Sequence, residues 1–224
     1  MIDTVKTAPH ERARLADGGE AWDGATEGVG DPLAPLLVHL PDDDAAMVRH
    51  AWAYAHSLYG SLRLSTGEAI AEHALGIARI LDAARADAPA RASGLLFSAG
   101  ALLAKPEEQL AEEFGNDIAD IVMGVRKLAR LGEQMRDRAP RHSSDPKEVS
   151  QQVETLRKML LAFATDIRVV LVRLASRLQT LRFYASSKLP VPEALARESL
   201  DLYAPLANRL GVWQIKWELE DLSF

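Results

Sequence analysis

Six histidines and two clusters of basic residues are the side chains in this sequence whose type and spacing could do chemistry. The histidines are His10, His39, His50, His56, His73 and His142. None is followed by aspartate, and no two stand four residues apart, the spacing that sets two imidazoles on one helix face for zinc. His50 and His56 are six apart, which points them to different faces of a helix. The chain has no cysteine, so thiolate nucleophiles, disulfides and thiolate metal sites are excluded. A serine nucleophile would lack the Gly-x-Ser-x-Gly elbow. Neither a Gly-x-x-x-x-Gly-Lys phosphate loop nor a dinucleotide glycine fingerprint occurs.

The basic residues fall in two places. Arg173 and Arg177 lie one helical turn apart in an otherwise apolar stretch, and Arg126, Lys127 and Arg130 share another. Like charges at that spacing cost a few tenths of a kcal/mol unless an anion lies close by. A phosphate would serve, and so would an internal carboxylate such as Glu218, Glu220 or Asp221. Residue chemistry alone therefore reaches a soluble helical domain and no evident catalytic constellation.

The elements that would position these groups are helices. Residues 1–30 are rich in glycine and acidic residues, show no sustained apolar period, and read as a mobile tail. Beyond them the pattern is helix after helix, about eight to ten in all, without the period-two alternation of a sheet. A short helix is expected near Leu33–Leu40 and a longer one from about Asp43 to Leu62. Ser65-Thr66-Gly67-Glu68 has the spacing of a capping box that opens a helix carrying Ile70, His73, Ile77 and Leu81. One helix is expected over Pro89–Leu103, and Pro106 suits the first turn of the next. Ile118, Ile121, Val122, Val125, Leu128 and Leu131 form one helical face that Gly132 is expected to end, before a mobile polar loop over 133–144. Asp145-Pro146-Lys147-Glu148 then predicts a helix start carrying Val149, Val153, Leu156, Leu160 and Phe163. Residues 167–181 are apolar on several faces; a buried strand is the rival, but the length favours a central helix. A helix over Pro192–Leu210 stopping at Gly211, and an amphipathic helix from Trp213, complete the chain.

The 224 residues are enough to bury roughly 70% of the unfolded surface, so the fold needs no staple. A formal net charge of -6 gives no global basic field for DNA or for a broad RNA surface. No apolar run reaches the ~20 residues of a membrane span, and the N-terminus is too polar for a signal peptide, which makes the cytoplasm the expected location.

In the second half, several strings occur in a distinctive order. They are Phe114-Gly115-Asn116-Asp117-Ile118-Ala119-Asp120-Ile121-Val122, Gly124-Val125-Arg126-Lys127-Leu128 and Asp166-Ile167-Arg168-Val169-Val170-Leu171. Tyr203-Ala204-Pro205-Leu206-Ala207-Asn208-Arg209-Leu210-Gly211 and Lys216-Trp217-Glu218-Leu219-Glu220-Asp221 follow. From about Ala51 to Phe224 the sequence resembles the N-terminal region of the long RelA/SpoT homologues. The resemblance implies an all-helical HD-type domain over residues 31–224, ending at the junction to a synthetase domain. In active members that domain uses manganese to hydrolyse (p)ppGpp to GDP or GTP plus pyrophosphate. The ion is held by a histidine, a His-Asp pair and a later aspartate, and a Glu-Asp pair helps activate water.

Carried over residue by residue, His73 matches the first histidine. Phe97 and Ser98 stand where the family has His-Asp, Ala101 and Leu102 where it has Glu-Asp, and Ser176 where it has the late aspartate. Gln179-Thr180 replaces a His-Asn. One imidazole remains of the metal set, too few ligands for manganese, so hydrolysis is not expected. Arg63 and Ser65 match an Arg-x-Ser string that contacts guanine nucleotide in active members, although the spacing to His73 is one residue longer. With Arg177 and Thr180 they form the nucleotide-binding set that the resemblance implies. Beside it stand plainer readings: a solvated Arg63, Ser65 as a helix N-cap, and His73 as a hydrogen-bonded core histidine.

The resemblance thus implies a catalytically silent domain that regulates an adjoining synthetase and is able to bind GDP, GTP or ppGpp. Magnesium belongs to the synthetase, and ribosome and tRNA contacts belong to C-terminal regions; no membrane or DNA partner is expected. The alternatives are a helical dimerisation or ribosome/tRNA module, and a metal phosphohydrolase rebuilt on other residues.

Overall fold

The structure is a computed structural model that describes residues 31–138 and 166–224, with backbone only for 131–138. The helix expected from Asp145 and the N-terminal tail lie outside the described residues. Within them the chain is all helical: the single β feature is an isolated bridge between Arg63 and Ala69. No described helix is long and apolar enough to cross a membrane.

The chain opens with α1 (Ala34–Leu37) and α2 (Asp42–Tyr59), whose first turn carries Asp42, Asp43 and Asp44 at the positive end of its dipole. After a turn come α3 (Ile70–Ala83) and α4 (Ala88–Leu95), the latter capped by the Asp87 carboxylate, which accepts from Ala90 N at 3.0 Å. Then follow α5 (Ala99–Leu102), α6 (Pro106–Phe114) and α7 (Asn116–Arg138). The second described segment holds α8 (Ile167–Ser186), α9 (Glu193–Glu198), a π turn (Ser199–Tyr203), α10 (Ala204–Arg209) and α11 (Trp213–Asp221).

Three sequence expectations need correction. Ser65 does not cap α3. The helix starts after Ala69 with no side-chain cap, because Gly67 (φ 92°) turns the chain and sends the Glu68 carboxylate inward. The helix expected over Pro89–Leu103 is broken at Leu96–Ser98. Tyr59 stabilises the break: its hydroxyl donates to Leu95 O (2.8 Å) and accepts from Ser98 N (3.1 Å), pairing two backbone groups there. Burial raises the Tyr59 phenol above its ordinary range, so it stays a neutral donor. Finally, α7 runs through Gly132 to Arg138, where a mobile loop was expected to begin. An internal glycine costs only about 1 kcal/mol, and Glu133, Gln134, Met135 and Arg136 all favour helix.

The core has two apolar clusters that share α3 and α7. Leu36, Val48, Trp52, Ala55, Tyr59, Ala74, Leu95, Leu110 and Val122 belong to one. Ile77, Leu81, Ile121, Val125, Val172, Leu178, Leu206 and Leu219 belong to the other. Gly94 lets α4 lie directly on α3, since a Cβ there would stand 2.8 Å from both Ile77 and Leu81. The strand alternative for 167–181 is settled: α8 is a 20-residue helix packed on α3, α4, α7 and α11. At its start Arg168 joins three elements, bonding Asp166, Asp117 and, at 3.4 Å, Asp87.

Towards the end, Pro205 sits at the start of α10 in an almost continuous helical run. Proline has no N–H and its ring crowds the preceding turn. The π turn just before it, closed by Ala204 N to Ser199 O, widens the helix where the ring must fit.

Candidate functional site

Helices α3 and α8 pack together, and their contact carries the positions that the resemblance singles out. His73, on α3, is 1% exposed. Its Nδ1 lies 2.7 Å from Glu68 Oε2, and its Nε2 lies 3.2 Å from Ser176 Oγ on α8. A carboxylate beside Nδ1 holds a proton on that nitrogen, and Nε2 shares its hydrogen bond with the Ser176 hydroxyl. Gln179 Nε2 donates to the other Glu68 oxygen at 2.6 Å. Its side chain crosses α3 at Gly76, where a Cβ would stand 2.1 Å from the Gln179 amide. The Phe97 ring lies 5.5 Å from the His73 ring between centroids, tilted by 51°.

The structure therefore brings His73, Phe97, Ser176 and Gln179 together. Ser98 is buried and held through its backbone by Tyr59. Leu102 is half-buried against the first core cluster, whereas Ala101 is exposed. Among the described residues no group of three or more histidine, aspartate, glutamate or cysteine side chains is placed to hold a metal ion.

Of the nucleotide-binding residues that the resemblance implies, Arg63 stands apart from Arg177 and Thr180. Arg63 is exposed, and its guanidinium donates to Gly67 O at 2.7 Å. It lines an open groove of about 500 Å³ with Glu68, Glu72, Arg79, Gln179 and Arg182. Arg177 and Thr180 do not face that groove. Thr180 is buried and its hydroxyl donates to Ser176 O at 3.0 Å. Arg177 turns away from α3: it pairs with Glu198 at 2.7 Å, and its guanidinium carbon stands 4.6 Å from the Tyr203 ring centroid. The carboxylate opposite Arg177 is thus Glu198, not one of Glu218, Glu220 or Asp221. Glu218 instead pairs with Arg182 at 2.5 Å. Burial acts to lower the Arg177 pKa, but Tyr203 and Glu198 outweigh it and hold the net shift upward. Burial alone would raise Tyr203, yet Arg173 and Arg177 together lower it.

Among the basic residues of α7, burial and the neighbouring charge of Arg130 lower the Arg126 pKa. No bound anion is needed to explain Arg177, since its countercharge is internal.

Sequence reasoning missed Glu68 as a site residue by assigning it to a helix cap. The available signal was its position one residue after a glycine and five before His73, where a turn aims a side chain back along the helix. It also missed Gln179 as the clamp on Glu68.

The HD domain family matches residues 51–213. The chain is 39% identical over 185 residues to a Myxococcus xanthus protein named GTP pyrophosphokinase, covering 82% of this chain and 23% of the relative. It is 34% identical over 189 residues to the Escherichia coli bifunctional (p)ppGpp synthase/hydrolase SpoT, covering 84% and 25%. It is also 34% identical over 235 aligned residues to a probable GTP pyrophosphokinase of Mycobacterium leprae, covering 100% and 27%. The chain spans about a quarter of the length of these relatives. Their names include both synthesis and hydrolysis, but the helical architecture and the extent of the match agree on the lineage: the chain belongs to the HD-domain family, as the HD domain of a RelA/SpoT homologue.

Proposed function

We propose that this chain is a non-hydrolysing HD domain that regulates the synthetase domain of a stringent-response GTP pyrophosphokinase. The observation that carries this reading is the state of His73, whose two ring nitrogens are both in hydrogen bonds and whose ring meets Phe97 in a tilted contact. Manganese needs several imidazole and carboxylate ligands with lone pairs turned toward one point. Here Nε2 faces a hydroxyl, and the adjoining carboxylate, Glu68, is engaged by Nδ1 and by Gln179. Phenyl, methyl and isobutyl groups at Phe97, Ala101 and Leu102 supply neither ligand nor general base, and the neutral Ser98 hydroxyl is a weak replacement for a carboxylate. The residues present do not fit the ion.

A domain without its own chemistry still biases a neighbour if its contacts differ between the neighbour's two states. Relatives about four times as long as the matched region supply such a neighbour. The test pairs two measurements. Purified protein incubated with ppGpp and manganese is expected to release no pyrophosphate above a metal-free control. In the longer chain, removing this region is expected to change the rate of ppGpp synthesis. A manganese-dependent rate that disappears in His73→Ala would overturn the silent site, and an unchanged synthetase rate would overturn the regulatory role.

A second reading, guanine-nucleotide binding without hydrolysis, is favoured by the groove that Arg63 and Arg79 line beside Phe183, together with Glu68, Glu72 and the Glu218-paired Arg182. Arginine pairs phosphate and stacks on bases. Calorimetric titration of GDP, GTP and ppGpp, with Arg63→Ala as control, tests it; no heat with any of the three would exclude it.

A further inference from the structure

Helix α7 changes sign along its length. Its first turns carry Asp117 and Asp120, whereas from Arg126 to Arg138 it holds five basic residues against two acidic ones, in a chain whose net charge is -6. Arg126 and Arg130 stand four residues apart, neighbours on one helix face. Val125, Leu128 and Ala129 turn into the core, which leaves Arg126 half-buried and Arg130 exposed on the outer side. Helix α5 packs beside them, and the Arg126 stem runs past Gly100: a Cβ on that glycine would stand 3.4 Å from Arg126 Cδ. Packing thus holds the methylene stem while the charged end faces outward.

Neither arginine is neutralised as Arg177 and Arg182 are by their glutamates. Among the described residues Arg126 and Arg130 form no hydrogen bond or ion pair through their guanidinium groups. Ala101 and Leu102, which follow Gly100 in α5, offer only methyl and isobutyl groups. At one-turn spacings from Arg126 stand Val122, Met123, Ala129 and Arg130, none of them acidic. The same spacings from Arg130 hold Arg126, Lys127, Glu133 and Gln134, a positive balance. Burial and the charge of Arg130 lower the Arg126 pKa, with no carboxylate opposing them. Two like charges held one turn apart repel, and an anion between them converts that repulsion into attraction.

We propose that Arg126 and Arg130 form a binding site for a compact phosphate anion, either free pyrophosphate or the diphosphate group of a nucleotide. Guanidinium groups bond phosphate oxygens through paired N–H donors, and two of them at this spacing reach adjacent phosphate groups. A long polyanion is disfavoured. The rest of the chain is acidic, and Glu107, Glu108 and Glu112 stand on α6, which packs against α7. Neither arginine lines the groove that holds Arg63 and Arg79, so nucleotide binding there is a separate question.

The experiment titrates the 224-residue chain with pyrophosphate, GDP and ADP, without metal and at low salt, and reads heat and melting temperature. Pyrophosphate is expected to bind and raise the melting temperature equally in the parent and in Arg63→Ala. Arg126→Gln with Arg130→Gln is expected to weaken that binding at least tenfold. Similar binding of GDP and ADP would assign the site to the diphosphate group of a nucleotide, and binding of pyrophosphate alone would assign it to the free anion. No pyrophosphate binding, equal binding in the glutamine variant, or loss of binding in Arg63→Ala would overturn the proposal. Without ligand the glutamine variant is expected to melt at the parent's temperature or slightly above it, because the repulsion is gone. A clear fall would mark the arginines as props of the fold and would equally overturn the proposal.

Discussion

Helix α8 carries two buried polar clusters, and they are built on opposite principles. Facing α3, Ser176 and Gln179 enter a hydrogen-bonded set with His73 and Glu68. Turned about 100° around the helix by a single residue step, Arg177 enters an ion pair with Glu198 and lies over Tyr203, with Arg173 5.7 Å from the same ring. The first cluster holds His73 and Ser176, two positions that the resemblance ties to metal binding. The second holds the π turn against α8. The resemblance put Arg177 and Thr180 into one binding set with Arg63, but of these three only Arg63 lines the groove.

The comparison is most easily broken on the ion-paired side. Arg177→Ala would remove the buried guanidinium that pairs with the partly buried Glu198, and one-sided removal of a buried pair costs up to about 3–5 kcal/mol. Urea unfolding should show that loss as a lower midpoint. The double change Arg177→Met with Glu198→Leu should recover most of it, because removing both charges also removes their desolvation cost. A loss below about 1 kcal/mol for the single change would place Arg177 with the weak surface pairs.

The hydrogen-bonded side should respond less. Gly76→Ala drives a methyl into the Gln179 amide, which must swing away and release Glu68. Overpacking of this kind costs about 1–3 kcal/mol. Adding Gln179→Ala should relieve the clash and restore part of the melting temperature. If Gly76→Ala is neutral, Gln179 is not held where it crosses α3, and the closed network around His73 is loose.

A third contrast lies at the start of α8, away from both clusters. The Arg168 side chain, bonded to Asp166, outweighs burial and holds that carboxyl below its ordinary value. The sign follows from linkage. A carboxyl with a depressed folded pKa adds stability above its unfolded value, near 3.9, and that contribution is lost as pH falls through the folded value. Melting temperature should therefore drop with acid below about pH 4, and Asp166→Asn should flatten the drop. An unaltered acid profile in that variant would assign the loss to other carboxylates.

The fold was largely legible in the sequence, because apolar spacing and punctuation act locally. Pro106, Gly211 and the three-four spacing of Ile118 to Leu128 place their elements correctly. The break at Leu96–Ser98 was not legible. It depends on Tyr59, 36 residues from the carbonyl that its hydroxyl satisfies. The π turn was hidden for a related reason: Pro205 marks the strain, but nothing in its neighbours says whether the helix kinks, ends or widens. At the site, the resemblance placed His73 and Ser176 in one cluster, and they do lie in contact. Glu68 escaped because a Ser-x-x-Glu spacing is satisfied equally by a cap and by a turn that buries the glutamate, and only the position of His73 decides between them.

The smallest stability effect is expected at Arg63, and there the comparison with Arg177 is sharpest. Both are arginines that the resemblance ties to nucleotide, but one is 3% exposed and ion-paired while the other lies open and bonds only Gly67 O among the described partners. Arg63→Ala should change stability by less than about 0.5 kcal/mol, as for other surface changes. Its effect on nucleotide titration is then free of any folding defect, which no Arg177 variant allows. Heat from ppGpp in the parent that vanishes in Arg63→Ala, with melting unchanged, would make the groove a sensor beside a silent metal position. Equal heat in both proteins would place any nucleotide elsewhere, and the open arginine would be a solvated side chain that bridges its own turn.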